Sequence, residues 1–350
     1  MGGVIDWSLA HNVSRGVAKL APSGDPAPFQ DLHGPNAESE RLVSEYTGLS
    51  SDSLPGPEPV ERDEWIDANL GSMRGVLEPV ADKLNKGNGM LGGIVSSAAG
   101  ALLAVEAGAI SGFLAGRVLG QYEFPVLDPA APARLLFVAP NLGHVARQLE
   151  ADDAQLLRWV SLHETTHALQ FGGVPWLRKH LADSVRELLD SLTLDTKGLL
   201  KMPDASDLRG LVDSVREGGV ATLVLGPERR AQFDSLQALM AVLEGYAEHV
   251  MDVVGAQVLD DLPSLRESLD RRRRERSGFM RLLERLIGMD LKLRQYEVGK
   301  QFCDAVAARG GIETLNRVWA SPAAMPTLDE LSDPVAWIAR TDHPELGRAA

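Results

Sequence analysis

The stretch from Asp152 to Phe171, DDAQLLRWVSLHETTHALQF, decides the fold, because it contains His163-Glu164-Thr165-Thr166-His167, an H-E-x-x-H pattern. On an α-helix, histidines at i and i+4 project from one face one turn apart, so both imidazoles can reach a single metal ion. Zinc accepts neutral imidazole nitrogen, and a catalytic zinc site takes three protein ligands with a fourth position left for water. Glu164, beside the first ligand, is placed to accept a proton from that water as it attacks a carbonyl. The flanking residues read as one helix. Asp152 and Asp153 can cap its start, while Leu156, Leu157, Val160, Leu169 and Phe171 are spaced for a buried face. Gly172-Gly173 followed by Val174-Pro175 is a stop signal. The bland alternative is a helix whose two histidines are merely hydrogen-bonded in a polar groove.

A third ligand is expected from a second helix. Gln237 to Val254 (QALMAVLEGYAEHVMDVV) is strongly periodic, with Leu239, Met240, Val242, Leu243, Ala247, Val250, Met251 and Val254 as apolar positions. Glu244 and Glu248 lie four apart within it and share a face. Sites of the H-E-x-x-H glutamate type use such a residue as ligand, with an acid one turn later orienting a ligand histidine. Glu244 is therefore the expected ligand and Glu248 the expected orienter. His249 competes as third ligand but points off the Glu244/Glu248 line. The alternative is that both carboxylates form a solvent stripe. Gly245 argues against it, because a glycine lets another helix or a ligand come close.

Composition narrows the function classes. With 350 residues and 44% hydrophobic content, the chain can bury a substantial core. A net charge of −14 disfavours a nucleic-acid partner, whose phosphates need a basic footprint. Arg271-Arg272-Arg273-Arg274-Glu275-Arg276 reads as a solvated run that pairs with the excess acid. The single cysteine, Cys303, allows no internal disulfide and suits a reducing cytoplasm. The first residues lack the basic-then-apolar pattern of a secretory signal. Gly89 to Gly116 is small, apolar and long enough to span a bilayer, but Glu106 and the Gly, Ala and Ser content favour close helix packing inside the protein.

The pattern along the rest of the chain predicts a mainly α protein with a small β component. Residues 1–60 read as a short helix (Asp6 to Leu20) and a Pro-rich extension, with Ser50 to Pro59 as linker or loop. Residues 61–345 read as the metallohydrolase domain. Glu61 to Lys86 is an amphipathic helix with Pro79 as a point of kink or division. Arg134 to Pro140 (RLLFVAP) is the best strand candidate, with Arg134 to Val138 as either the edge beside the zinc cleft or a buried connector. Helices are expected over Trp176 to Leu192, Leu208 to Arg216, Met289 to Arg309, Ile312 to Trp319 and Leu328 to Arg340. Gly218 to Leu225 is expected to be a turn and short strand.

Taken in order, several stretches resemble the bacterial zincin-like metallopeptidases of type 2. They are Val4-Ile5-Asp6-Trp7, Trp65 to Leu70, Gly116 to Tyr122, Val138-Ala139-Pro140-Asn141, Leu162 to Phe171 with Val174 to Leu177, Leu243 to Asp252, Lys292 to Tyr296 and Asn316 to Trp319. Members of that family are sometimes labelled hydrolases or proteins associated with biosynthesis of the deazaflavin coenzyme. The resemblance implies a zincin-like metallopeptidase fold carrying the H-E-x-x-H helix. The expected activity is that of a zinc-dependent metallohydrolase, most plausibly a peptidase acting on a peptide or protein, with one Zn2+ per chain on His163, His167 and Glu244. Glu164 is the expected general base. Arg294, Tyr296 and Tyr246 are candidate oxyanion donors, each with ordinary packing as its alternative. No membrane association is expected. The rival of another class is a catalytically silent scaffold or interaction protein that retains the zincin fold.

Overall fold

The computed structural model describes residues 4–86, 92–191, 227–260, 263, 265–268 and 294–342. Asp6 caps α1 (Trp7–Ala18) by accepting the Leu9 N–H at 3.0 Å. The Pro-rich extension is more structured than its composition suggests. It contains α2 (His33–Thr47), which stops at Gly48 with φ 70, and strand β1 (Pro57–Val60). Ser50 to Pro59 is thus not all loop. Prolines are tolerated in β1 because it lies at a sheet edge, where a missing N–H breaks no ladder.

Helices α3 (Arg62–Lys86) and α4 (Gly92–Ala115) follow, then β2 (Gly120–Glu123), β3 (Arg134–Val138) and α5 (Ala139–Leu149). Pro79 lies within α3 and does not divide it. The strands form one sheet in the order β1-β3-β2, with β1 parallel and β2 antiparallel to β3. β3 is therefore the central strand, so of its two readings the edge fails and the buried one holds. Its composition shows why. Leu135 and Phe137 face one hydrophobic core while Leu136 and Val138 face a second, and a strand buried on both sides reads as an unbroken apolar run.

The second core joins the N-terminal segment to the sheet through Ile5, Ala10, Ala18, Val60, Trp65 and Ile66. The small residues of α4 are explained by its contact with the start of the chain. A Cβ at Gly100, Gly108 or Gly112 would stand 1.8 Å from Val4 O, 2.4 Å from Ala10 O or 2.3 Å from Ser14 O. Glycines at these positions, eight and four residues apart and so on one helix face, let the two backbones approach this closely. No described helix is long and apolar enough to cross a membrane.

The larger core surrounds α6 (Asp153–Gly173), which is followed by α7 (Leu177–Ser191), α8 (Pro227–Val258) and α9 (Arg294–Leu315). Asp152 caps α6 by accepting the Ala154 and Gln155 N–H groups at 3.0 Å each, a contribution of about 1 kcal/mol. Leu156, Leu157, Val160, Leu162 and Leu169 of α6 pack in the same core as Val242, Tyr246, Val250 and Met251 of α8 and Phe302 and Val306 of α9. Gly311, at φ 75, breaks the end of α9, as the Gly310-Gly311 pair predicts. The stretch expected as one helix from Leu328 to Arg340 is two, α10 (Leu328–Ser332) and α11 (Pro334–Asp342), because Pro334 starts a new one. The expectations for Leu208 to Arg216, Gly218 to Leu225 and the arginine run 271–276 fall outside the described residues.

Candidate metal centre

His163 and His167 occupy the middle of α6, and their side chains are 16% and 12% exposed. Their Nε2 atoms lie 3.2 Å apart, although the rings meet edge to face. Two imidazoles bound to one tetrahedral zinc at about 2.0–2.1 Å would hold these atoms about 3.3 Å apart. The helix backbone thus presents a chelating pair. Glu244 of α8 faces them, with Oε1 3.8 Å from His167 Nε2 and Oε2 4.0 Å from His163 Nε2. These three residues form the one His/Cys/Asp/Glu group among the described residues whose donor atoms can hold a metal ion, all within 4.8 Å of one another. Two neutral nitrogens and one carboxylate suit zinc.

Glu244 is brought here by a close helix crossing. A Cβ at Gly245 would stand 2.2 Å from the Gly299 carbonyl carbon, and one at Gly299 would stand 2.0 Å from Ala241 O. These glycines let α8 and α9 touch through their backbones immediately beside the carboxylate. The close approach suggested by Gly245 is therefore to another helix.

Glu164 points toward β2. It is 6% exposed, and its Oε2 accepts the Tyr122 N–H at 3.0 Å. A Cβ at Gly120 would lie 2.6 Å from Glu164 Cγ, so glycine there leaves the room this side chain occupies. The Val138 N–H donates to Leu119 O, which fixes the ladder so that Gln121 faces β3 while Gly120 and Tyr122 face outward. An otherwise unpaired edge N–H thereby orients the carboxylate. Burial pushes the Glu164 carboxyl up to about 7; the Glu244 charge adds to this, while His167 and the Tyr122 N–H oppose it. A carboxyl in that range suits proton transfer near neutral pH.

Around the ligands, His167 Nδ1 lies 2.8 Å from Gln170 Oε1, and His163 Nδ1 lies 3.1 Å from the Met251 thioether. Trp159 stacks parallel to the His163 ring, with centroids 6.4 Å apart. Glu248, one turn beyond Glu244, accepts from Arg266 Nη2 at 3.0 Å. His249, the rival third ligand, is directed away from the convergence point. Its Nε2 pairs with the Tyr46 hydroxyl at 2.7 Å and its Nδ1 with Asp304 Oδ1 at 2.8 Å. Burial alone would raise Asp304, but hydrogen bonds from His249 and Lys300 hold it below the usual carboxylate range. Tyr246 is a core residue whose hydroxyl donates to Asn316 Oδ1 at 2.7 Å, so its ordinary-packing alternative holds. The side chains of Arg294 and Tyr296 lie outside the described residues. Sequence reasoning missed Gly120, Tyr122 and Gln170 as parts of the site. Only Gln170 carried a local signal, since it stands three residues after His167 on the same helix.

Comparison with known proteins identifies the family. A family profile described as zincin-like metallopeptidase matches residues 5–338. The chain belongs to the zincin-like metallopeptidase family. Among solved structures, the chain is similar to a protein from Chloroflexus aurantiacus described as a putative hydrolase with a novel fold. The two share 32% identity with a TM-score of 0.73, and the match covers 97% of this chain and 99% of the other. No curated protein matches the chain. The family points to a metallohydrolase, and the neighbour is described as a hydrolase.

Proposed function

We propose that this zincin-like protein is a zinc-dependent metallopeptidase. The observation that carries the proposal is the meeting of His163, His167 and Glu244 on one side of α6, with Glu164 buried between that cluster and the edge of β2. His163, His167 and Glu244 would hold the metal. Zinc bound there would supply Lewis-acid polarisation of a carbonyl and acidify a water. Glu164 accepts the proton of the attacking water and returns it to the leaving amine. The Tyr122 N–H keeps that carboxylate aimed, and the surrounding core keeps its charge poorly solvated and hence basic. The peptide reading draws on the sheet, because β2 offers a strand edge next to Glu164 and an extended substrate pairs only with an edge. With β3 central, the substrate edge proposed here is β2.

Two measurements test the proposal. Metal analysis should find one zinc per chain in the wild type and loss of zinc in His163→Ala. A peptide-library cleavage profile should then show turnover in the wild type and none above background in Glu164→Gln. Zinc binding without cleavage of any peptide would favour a zincin-fold scaffold. Absence of zinc from carefully loaded protein would remove the hydrolase altogether.

A further inference from the structure

Gln170 is fully buried, and its amide joins the two metal-ligand helices. Its Nε2 donates to the Leu243 backbone carbonyl at 3.1 Å, and its Oε1 stands 2.8 Å from His167 Nδ1. Leu243 immediately precedes Glu244. A carbonyl oxygen can only accept, so the NH2 end of the amide must face Leu243. The flipped amide would set two carbonyl oxygens against each other in a site without solvent. The oxygen end is thereby committed to His167, and a carbonyl oxygen requires a donor there. His167 must carry its proton on Nδ1, which leaves the Nε2 lone pair directed at His163 Nε2 and the Glu244 carboxylate.

We propose that Gln170 is a positioning residue that fixes His167 in the metal-binding tautomer and ties the start of the Glu244 turn to α6. The chain of constraint runs from Leu243 carbonyl to Gln170 amide to His167 ring. Each link is buried or nearly so, and each admits one proton arrangement. Glu248, the residue at the spacing expected for this task, is engaged by Arg266, whereas Gln170 reaches His167 from within α6 itself. Free imidazole exchanges between two tautomers, and only one of them presents Nε2 to a metal. Fixing that tautomer before binding removes a cost from zinc affinity, as partners of metal-bound histidines commonly do. The metal-related half of this inference rests on the zinc reading of the site; the tautomer half does not.

The test uses full-length protein labelled with 15N at histidine, stripped of metal by chelator and held at pH 8.5. Two-bond 15N–1H spectra report which ring nitrogen is protonated, and His167 is assigned by the loss of its signals in His167→Gln. The wild type should show His167 as the Nδ1–H tautomer. Gln170→Met, which keeps the bulk and removes the amide, should shift it toward Nε2–H and weaken zinc binding about 10- to 100-fold in chelator competition. Gln170→Glu retains an acceptor and should restore both the Nδ1–H tautomer and most of the zinc affinity. A wild-type His167 protonated on Nε2 would overturn the proposal even if Gln170→Met failed to fold. So would unchanged zinc affinity in a folded Gln170→Met. If instead the wild type shows the Nδ1–H tautomer and never binds zinc, the metallopeptidase reading fails while the role in fixing the tautomer stands.

Discussion

Replacing Gly245 by alanine asks whether the α8–α9 crossing holds Glu244 in place. The added Cβ would lie 2.2 Å from the Gly299 carbonyl carbon, 2.4 Å from its oxygen and 2.6 Å from Lys300 N. Ordinary van der Waals contact begins near 3.4 Å, so relief demands a separation of about 1.2 Å between the helices. The obstructing atoms are backbone, and no side chain can rotate out of the way. Overpacking of this kind costs about 1–3 kcal/mol, and a backbone obstacle puts it toward the upper end. For a chain of this size that lowers the melting temperature by about 3–4 °C. Glu244 is the adjacent residue and moves with the backbone, whereas zinc–ligand distances tolerate about 0.2 Å. Zinc affinity should therefore fall about tenfold or more. Thermal unfolding by circular dichroism in excess chelator reads the first effect, and competition with a chromophoric chelator reads the second. A variant with wild-type melting and wild-type zinc affinity would refute the claim that this contact sets the third ligand.

Other consequences concern α6 and β2. Gly120→Ala would place a Cβ 2.6 Å from Glu164 Cγ and 2.9 Å from Val160 Cγ1, displacing the base without touching the metal ligands. Zinc content should persist while kcat/KM for a cleaved peptide falls about tenfold or more; equal activity would detach Glu164 from catalysis. In metal-free protein the Glu164 carboxyl is raised from 4.5 to about 7, so the folded state binds the proton more tightly than the unfolded state. Its ionisation costs no stability below pH 4.5. The cost grows between there and pH 7, and it levels off at about 3 kcal/mol above that. Chelated Glu164→Gln should accordingly be more stable than chelated wild type at pH 8 and show little gain at pH 4.5, as read by urea denaturation; equal stability at pH 8 would contradict this. Asp152→Ala removes two N–H acceptors at the start of α6 and should cost about 1 kcal/mol in the same assay, with zinc content unchanged.

The helix that carries the site was legible because its signals are local. Asp152 caps it, the apolar spacing sets its buried face, and His163 and His167 follow from the helical repeat alone. Glu244 could be named from its own periodic helix, but its closure on the histidines depends on the Gly245–Gly299 contact, which sequence spacing cannot show. Glu248 was expected to orient a ligand histidine, whereas the residue that meets the His167 ring, Gln170, stands on α6 itself, a contact that the search one turn beyond Glu244 did not reach. β2 escaped notice for a different reason. Gly120 and Gln121 have low strand propensity, and the strand exists through its pairing with β3. β1 was hidden by its prolines, while β3 was legible as a strand and its uninterrupted apolar run marks the middle of a sheet, the buried one of its two readings.

The glycine seam on α4 has a consequence for anyone who handles this polypeptide. Val4, Ala10 and Ser14 fill a slot whose floor is bare main chain. Clipping the leading segment would open that slot and expose the apolar bed around Trp65 and Ile66 beneath it. Shortened preparations should stick to one another through the vacated channel, so trimming the front of the chain is the wrong place to seek a better-behaved sample.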